Sequence, residues 1–101
     1  MHTEPIYHIT SSAQWELAKV KGYYEADSIA KEGFIHCSTA KQVAGVLERY
    51  YLGRTDLVKL TINPEKLAYP LKFDFADSVN EYFPHIYGTL NLSAVEKIEF
   101  I

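Results

Sequence analysis

Ile6-Tyr7-His8-Ile9-Thr10-Ser11-Ser12-Ala13-Gln14 decides the fold. Up to Thr10 the residues are β-branched or aromatic around one imidazole. Their alternation predicts a strand over residues 5–10, with Ile6, His8 and Thr10 on one face and Tyr7 and Ile9 on the other. Ser11 to Gln14 then resembles a capping box, in which a hydroxyl and a Gln three residues on satisfy the first free amides of a helix. That helix runs to about Lys21, turns Trp15 and Ala18 inward, and is closed by Gly22.

The same grammar recurs downstream. Residues 34–38 read as a second strand, with Phe34, His36 and Ser38 on one face. Thr39 to Gln42 looks like another capping box, and the helix after it carries Val43, Val46, Leu47 and Tyr50 toward a core and stops near Gly53. Between these units, Tyr23, Tyr24 and Glu25 form a loop, and Ser28 to Gly33 forms one short helical turn closed by glycine. Asp56 to Ile62 alternates with Val58, Leu60 and Ile62 inward, and Asn63-Pro64 marks a turn. Residues 69–75 are a strand, residues 76–84 a polar loop, His85 to Gly88 a short strand or strand edge, and Val95 to Ile101 closes the sheet. The sum is α+β, with about six strands and two helices. Helices come early and strands late, so antiparallel pairing dominates.

Composition bounds the function. At 101 residues the chain is one domain, and 48% hydrophobic content suffices for a modest core. A single cysteine forms no internal disulfide, which fits a reducing compartment. No apolar run reaches the roughly 20 residues of a membrane span, and the start lacks a basic-then-apolar signal pattern. The expectation is a soluble, cytoplasmic protein. With a formal charge of −3 and its Lys and Arg residues scattered among carboxylates, bulk nucleic-acid binding is disfavoured. The sequence specifies no oligomeric state.

Three of the 4 histidines sit in separate apolar stretches: His8, His36 and His85. His2 lies in a polar start and is set aside. Imidazole suits proton transfer, hydrogen bonding and metal ligation near neutrality, so the three are read as one site assembled by folding. Thr10 follows His8, and Ser38 follows His36, at the period-two spacing that shares a strand face. A hydroxyl there can fix an imidazole tautomer or hold a polar ligand, although Ser38, Ser11 and Thr39 also suit helix caps. Cys37 faces away from His36 and reads as a buried, inert thiol. In Phe83-Pro84-His85-Ile86-Tyr87-Gly88, His85 and Tyr87 share a face, and Glu81, Asp74 or Asp77 can supply a carboxylate that orients an imidazole. Arg54, at a helix end, can bind a phosphate. A tri-histidine zinc site is a further reading, but none of these histidines has a ligand neighbour on its own element.

Ile-Tyr-His-Ile-Thr, Trp15, Gly-Tyr-Tyr, Ser-Ile-Ala-Lys-Glu-Gly-Phe-Ile-His-Cys-Ser, Gln42 and Phe-Pro-His-Ile-Tyr-Gly together resemble the bacterial domain of unknown function 952 family over nearly the whole chain. More remotely, that family resembles the ADP-ribosyltransferase fold, in its RNA 2'-phosphotransferase branch. The resemblance implies a split, mainly antiparallel sheet gripping NAD in a cleft. It implies His8 at the nicotinamide-side ribose, His36 or Tyr24 lining the nicotinamide, and His85 with Glu81 at the third position. Thr10, Tyr24, Ser38, Tyr87 and Arg54 are then candidate binding residues. NAD would be a substrate, with no tightly bound cofactor. Two other functions share the same cleft: a nucleotide or small-metabolite binding module without turnover, and a histidine-liganded metal-dependent hydrolase.

Overall fold

The computed structural model describes residues 4–101, so His2 lies outside the described residues. Strand β1 (Ile6–Ser11) leads directly into helix α1 (Ser12–Lys21), as its sequence demands. Ser11 is the N-cap, its hydroxyl accepting from the Gln14 amide at 3.1 Å. Gly22 closes the helix in the left-handed conformation, φ 91, which glycine adopts at little steric cost. Strand β2 (Tyr23–Tyr24), helix α2 (Ser28–Glu32) and strand β3 (Ile35–His36) follow, then helix α3 (Val43–Tyr50). Strands β4 (Leu57–Ile62), β5 (Leu71–Ala76), β6 (Glu81–Ile86), β7 (Leu90–Asn91) and β8 (Val95–Phe100) complete the chain, with single 3-10 turns at Pro64–Lys66 and Leu92–Ala94.

The strands form three sheets, ordered β1-β4-β8, β2-β7 and β3-β6-β5, and every strand pairing among the described residues is antiparallel. The first and third meet at one bridge, Tyr7 to Ser38, whose amides each donate to the other's carbonyl, at 2.8 and 2.7 Å. The fold is α+β and antiparallel, with eight strands and three helices among the described residues rather than about six and two. The extra strands are the two-residue pair β2 and β7, too short to show a period. The extra helix is α2, the segment read as a single turn.

Register explains the core. Ile6, His8 and Thr10 pair with Ile62, Leu60 and Val58, so one row of the first sheet faces inward. In the third sheet Ile35 lies opposite Ile86, which lies opposite Leu71. These rows enclose a cluster with Trp15, Ala18, Tyr24, Leu90 and Ala94. Burying each large aliphatic there contributes about 1.5–3 kcal/mol.

Several sequence expectations fail: the loop read at Tyr23 to Glu25 contains strand β2, and Thr39 does not cap helix α3, whose N-cap is Gln42. Residues 76–84 are not a loop: after a tight turn at 77–80, with Asn80 at φ 56, strand β6 begins at Glu81. Its first residues are polar or exposed because that end of the hairpin projects from the core. Helix α3 places none of its residues in the core, and Tyr50 is 64% exposed. Helix α1 and Tyr24 already cover the inward face, so the apolar side of α3 lines a cleft instead.

Candidate active site

His8, His36 and His85 all line one cleft of about 700 Å³, together with Thr10, Tyr24, Asp27, Ser38, Val46, Tyr51, Arg54 and Phe83. The cleft lies where the first and third sheets meet. His36 and His85 are direct cross-strand partners in β3 and β6, with ring centroids 5.0 Å apart and edge-on. His8 comes from β1, and its Nδ1 lies 2.6 Å from the His36 carbonyl oxygen.

His8 is buried, and burial lowers its pKa to about 4, against the opposing pull of the His36 carbonyl. The ring is therefore neutral at physiological pH. A carbonyl only accepts, so Nδ1 carries the proton and Nε2 is an acceptor. The Tyr24 hydroxyl, 2.8 Å away, must then donate to Nε2. Tyr24 has one proton, so the Thr10 hydroxyl, 2.9 Å from the phenol oxygen, donates to it. The result is a one-way chain: Thr10 to Tyr24 to His8 to the His36 carbonyl. Burial raises the Tyr24 pKa to about 12, so the phenol stays protonated. Both nitrogens of His8 are occupied, and it offers neither to a ligand.

His85 is in a different state. It is 7% exposed and covered on one face by Phe34, whose ring stacks at 4.0 Å and 15°. Its Nδ1 lies 2.8 Å from Oδ2 of Asp74, and the Tyr87 hydroxyl donates to the same oxygen at 2.6 Å. Those two bonds, Tyr87 first, hold the Asp74 carboxyl below the usual range, so it is an anion and Nδ1 carries the proton. Burial lowers the His85 pKa, partly offset by Asp74, so the ring is mostly neutral at pH 7. No hydrogen bond occupies its Nε2 among the described residues, and no buried side-chain nitrogen or oxygen there lacks a partner, so Nε2 is open.

His36 is half exposed, with Nε2 2.8 Å from Glu32 Oε2. Burial pushes the Cys37 thiol pKa up, which keeps it protonated and unreactive. Thr10, Tyr24, Ser38 and Arg54 line the cleft, but Arg54 is held by both oxygens of Asp56, at 2.8 and 2.9 Å. Tyr87 acts on Asp74. Glu81 is not on an imidazole: it accepts from Gln42 Nε2 at 3.1 Å, and Asp74 is the carboxylate on His85. Among the described residues no three His, Cys, Asp or Glu side chains gather as a metal ligand set. The sequence reading missed the Phe34 stack, although Phe34 and His36 shared a predicted face. It also missed Glu32, four residues before His36 and across the end of a short helix.

Such an architecture defines a small antiparallel α+β domain with a histidine-lined cleft at a seam between sheets. Residues 9–98 match the family model described as "Protein of unknown function (DUF952)", and the chain belongs to that family. It is similar to protein CC0527 from Caulobacter crescentus. Against the crystal structure of that protein the TM-score is 0.86 with 32% identity, covering 95% of this chain and 84% of that one. Against its solution NMR structure the TM-score is 0.83 with 32% identity, covering 96% and 84%. No curated protein matches the chain. Among the described residues no helix is long and apolar enough to cross a membrane.

Proposed function

We propose that the cleft binds NAD and that the chain is a transferase of the ADP-ribosyltransferase kind, which breaks the bond between nicotinamide and ribose. The observation that carries this reading is the convergence of His8, His36 and His85, from both halves of a divided sheet, on one cleft. The transition state of that cleavage resembles an oxocarbenium ion, and an enzyme assists by holding the ribose and stabilising the developing charge. Tyr24, fixed by His8 and Thr10, supplies a rigid wall for the nicotinamide end. Ser38 and His36 are within the same lining, and Asp27 is the one carboxylate among the lining residues. His8 acts through Tyr24 rather than on the ligand.

Calorimetric titration with NAD, paired with chromatography of released nicotinamide, tests the reading. Binding heat plus nicotinamide is the expected result. Heat without nicotinamide makes the chain a nucleotide-binding module. No heat at about millimolar NAD, with wild type and His36→Ala alike, removes the NAD reading altogether.

A further inference from the structure

We propose that His85 is the base that accepts the proton of a hydroxyl acceptor in the cleft, and that Asp74 and Tyr87 are positioning residues that hold it ready. This assignment rests on the NAD reading and adds to it the chemical class of the acceptor. Of the three cleft imidazoles, His8 has both nitrogens engaged and His36 lies on Glu32. Among the described residues His36 likewise keeps its Nδ1 open, but its side chain is 53% exposed, whereas His85, 7% exposed, combines a fixed tautomer and an open nitrogen with burial. The stacked Phe34 ring fixes its plane, and the Asp74 carboxylate fixes which nitrogen carries the proton.

The step balances without a further reagent. The acceptor oxygen forms a bond to the ribose anomeric carbon, and its proton passes to Nε2 of His85. The bond from that carbon to nicotinamide breaks, its electron pair leaves with the pyridine nitrogen, and nicotinamide departs neutral. The imidazolium so formed is stabilised by Asp74. An oxygen nucleophile must shed its proton as it attacks, which a neutral imidazole serves well. A guanidinium is a delocalised cation with no free lone pair, so it must lose its proton before it can attack, whereas a hydroxyl attacks through a lone pair and sheds its proton only as the bond forms. The structure therefore favours alcohols or water over arginine-like acceptors.

The charged and titratable groups around His85 are Asp74 and Lys72 on β5, Tyr87 beyond the end of β6, His36 on β3 and Glu32 on α2. Removing the Asp74 charge withdraws support from the imidazolium, so Asp74→Asn moves the acid limb of the rate profile to lower pH. Removing the Tyr87 hydroxyl leaves Asp74 a stronger acceptor, so Tyr87→Phe moves that limb to higher pH. A merely structural role for either residue lowers the plateau without these opposed shifts.

The experiment measures nicotinamide release and products from the full chain, with water, methanol or agmatine as acceptor, for wild type, His85→Gln, Asp74→Asn and Tyr87→Phe. Expected are ADP-ribose in water and its methyl glycoside in methanol, no agmatine adduct, and a kcat lower by about 10²–10⁴ in His85→Gln with KM within about 3-fold. Retained NAD binding heat and an intact melting transition show that His85→Gln is folded. Nicotinamide release by wild type with an unchanged kcat in His85→Gln, or an agmatine adduct, overturns the His85 assignment and leaves the NAD reading standing. No release by wild type overturns both the His85 assignment and the transferase reading, and retained NAD heat then leaves a binding module.

Discussion

Among the described residues Tyr24 is the sole donor to Nε2 of His8, across 2.8 Å, while the other nitrogen of that neutral ring is spent on the His36 carbonyl. Tyr24→Phe keeps the ring packed in the core and removes only the hydroxyl. It leaves a buried imidazole nitrogen without a donor and takes away the Thr10 acceptor. The expected loss is about 1–3 kcal/mol in urea unfolding at an unchanged m-value. A variant as stable as wild type would show that the chain from Thr10 to His8 contributes nothing to cohesion.

The same burial makes stability depend on pH. The folded His8 pKa is about 4, below its ordinary 6.5, so the unfolded chain binds the proton more readily. The contribution is fully present above about pH 6.5 and is lost as pH falls toward 4, on the order of 3 kcal/mol in all. His85, lowered by burial, adds a slope of the same sign in that window, and Asp74 adds one at lower pH. His8→Phe should flatten the fall in unfolding free energy between about pH 7 and pH 5. An equally steep fall in the variant would assign the dependence elsewhere.

Helix α3 is tied down by Gln42 rather than by a buried face. The Gln42 side chain accepts from the Thr39 amide at 3.0 Å and donates to Glu81 and to the Tyr82 carbonyl, at 3.1 and 2.7 Å. In Gln42→Ala, amide hydrogen exchange in α3 should rise about 5-fold or more while α1 stays protected by Trp15 and Ala18. Equal acceleration in both helices would mean that α3 opens only with the whole molecule.

Leu60 lies opposite His8 on one side and Ile98 on the other, fully buried at the centre of the first sheet. Leu60→Ala removes methyl groups from a site with little room to collapse. We expect a loss of about 2–5 kcal/mol by chemical denaturation. A loss below about 1 kcal/mol would show that the inward row tolerates repacking.

Much of this was legible in the chain. The Ser11 N-cap, which is the hydroxyl half of the capping box, and the helix stop at Gly22 follow from local rules, and both stand. The alternation at 56–62 correctly placed Val58, Leu60 and Ile62 inward. The site was legible as a set of imidazoles but not as a set of roles. Period two placed His85 and Tyr87 together, yet the choice of Asp74 over Glu81 depends on hairpin register, which pairs Phe83 with Asp74 and Lys72 with His85. Register is fixed by the turn at 77–80 and not by the residues that meet. The strand at Glu81 was hidden because its first residues are polar or exposed. Helix α3 was misjudged because a moderate apolar stripe looks the same whether it covers a core or a cavity wall.

The two larger sheets touch through one reciprocal pair of amides at Tyr7 and Ser38, and the His8 bond to the His36 carbonyl crosses the same junction. His8 is thus a rivet as well as a wall. Any lineage that trades it for different chemistry also loosens the joint that sets the width of the mouth. The lining of the cleft and the cohesion of the two sheets are carried here by a single side chain.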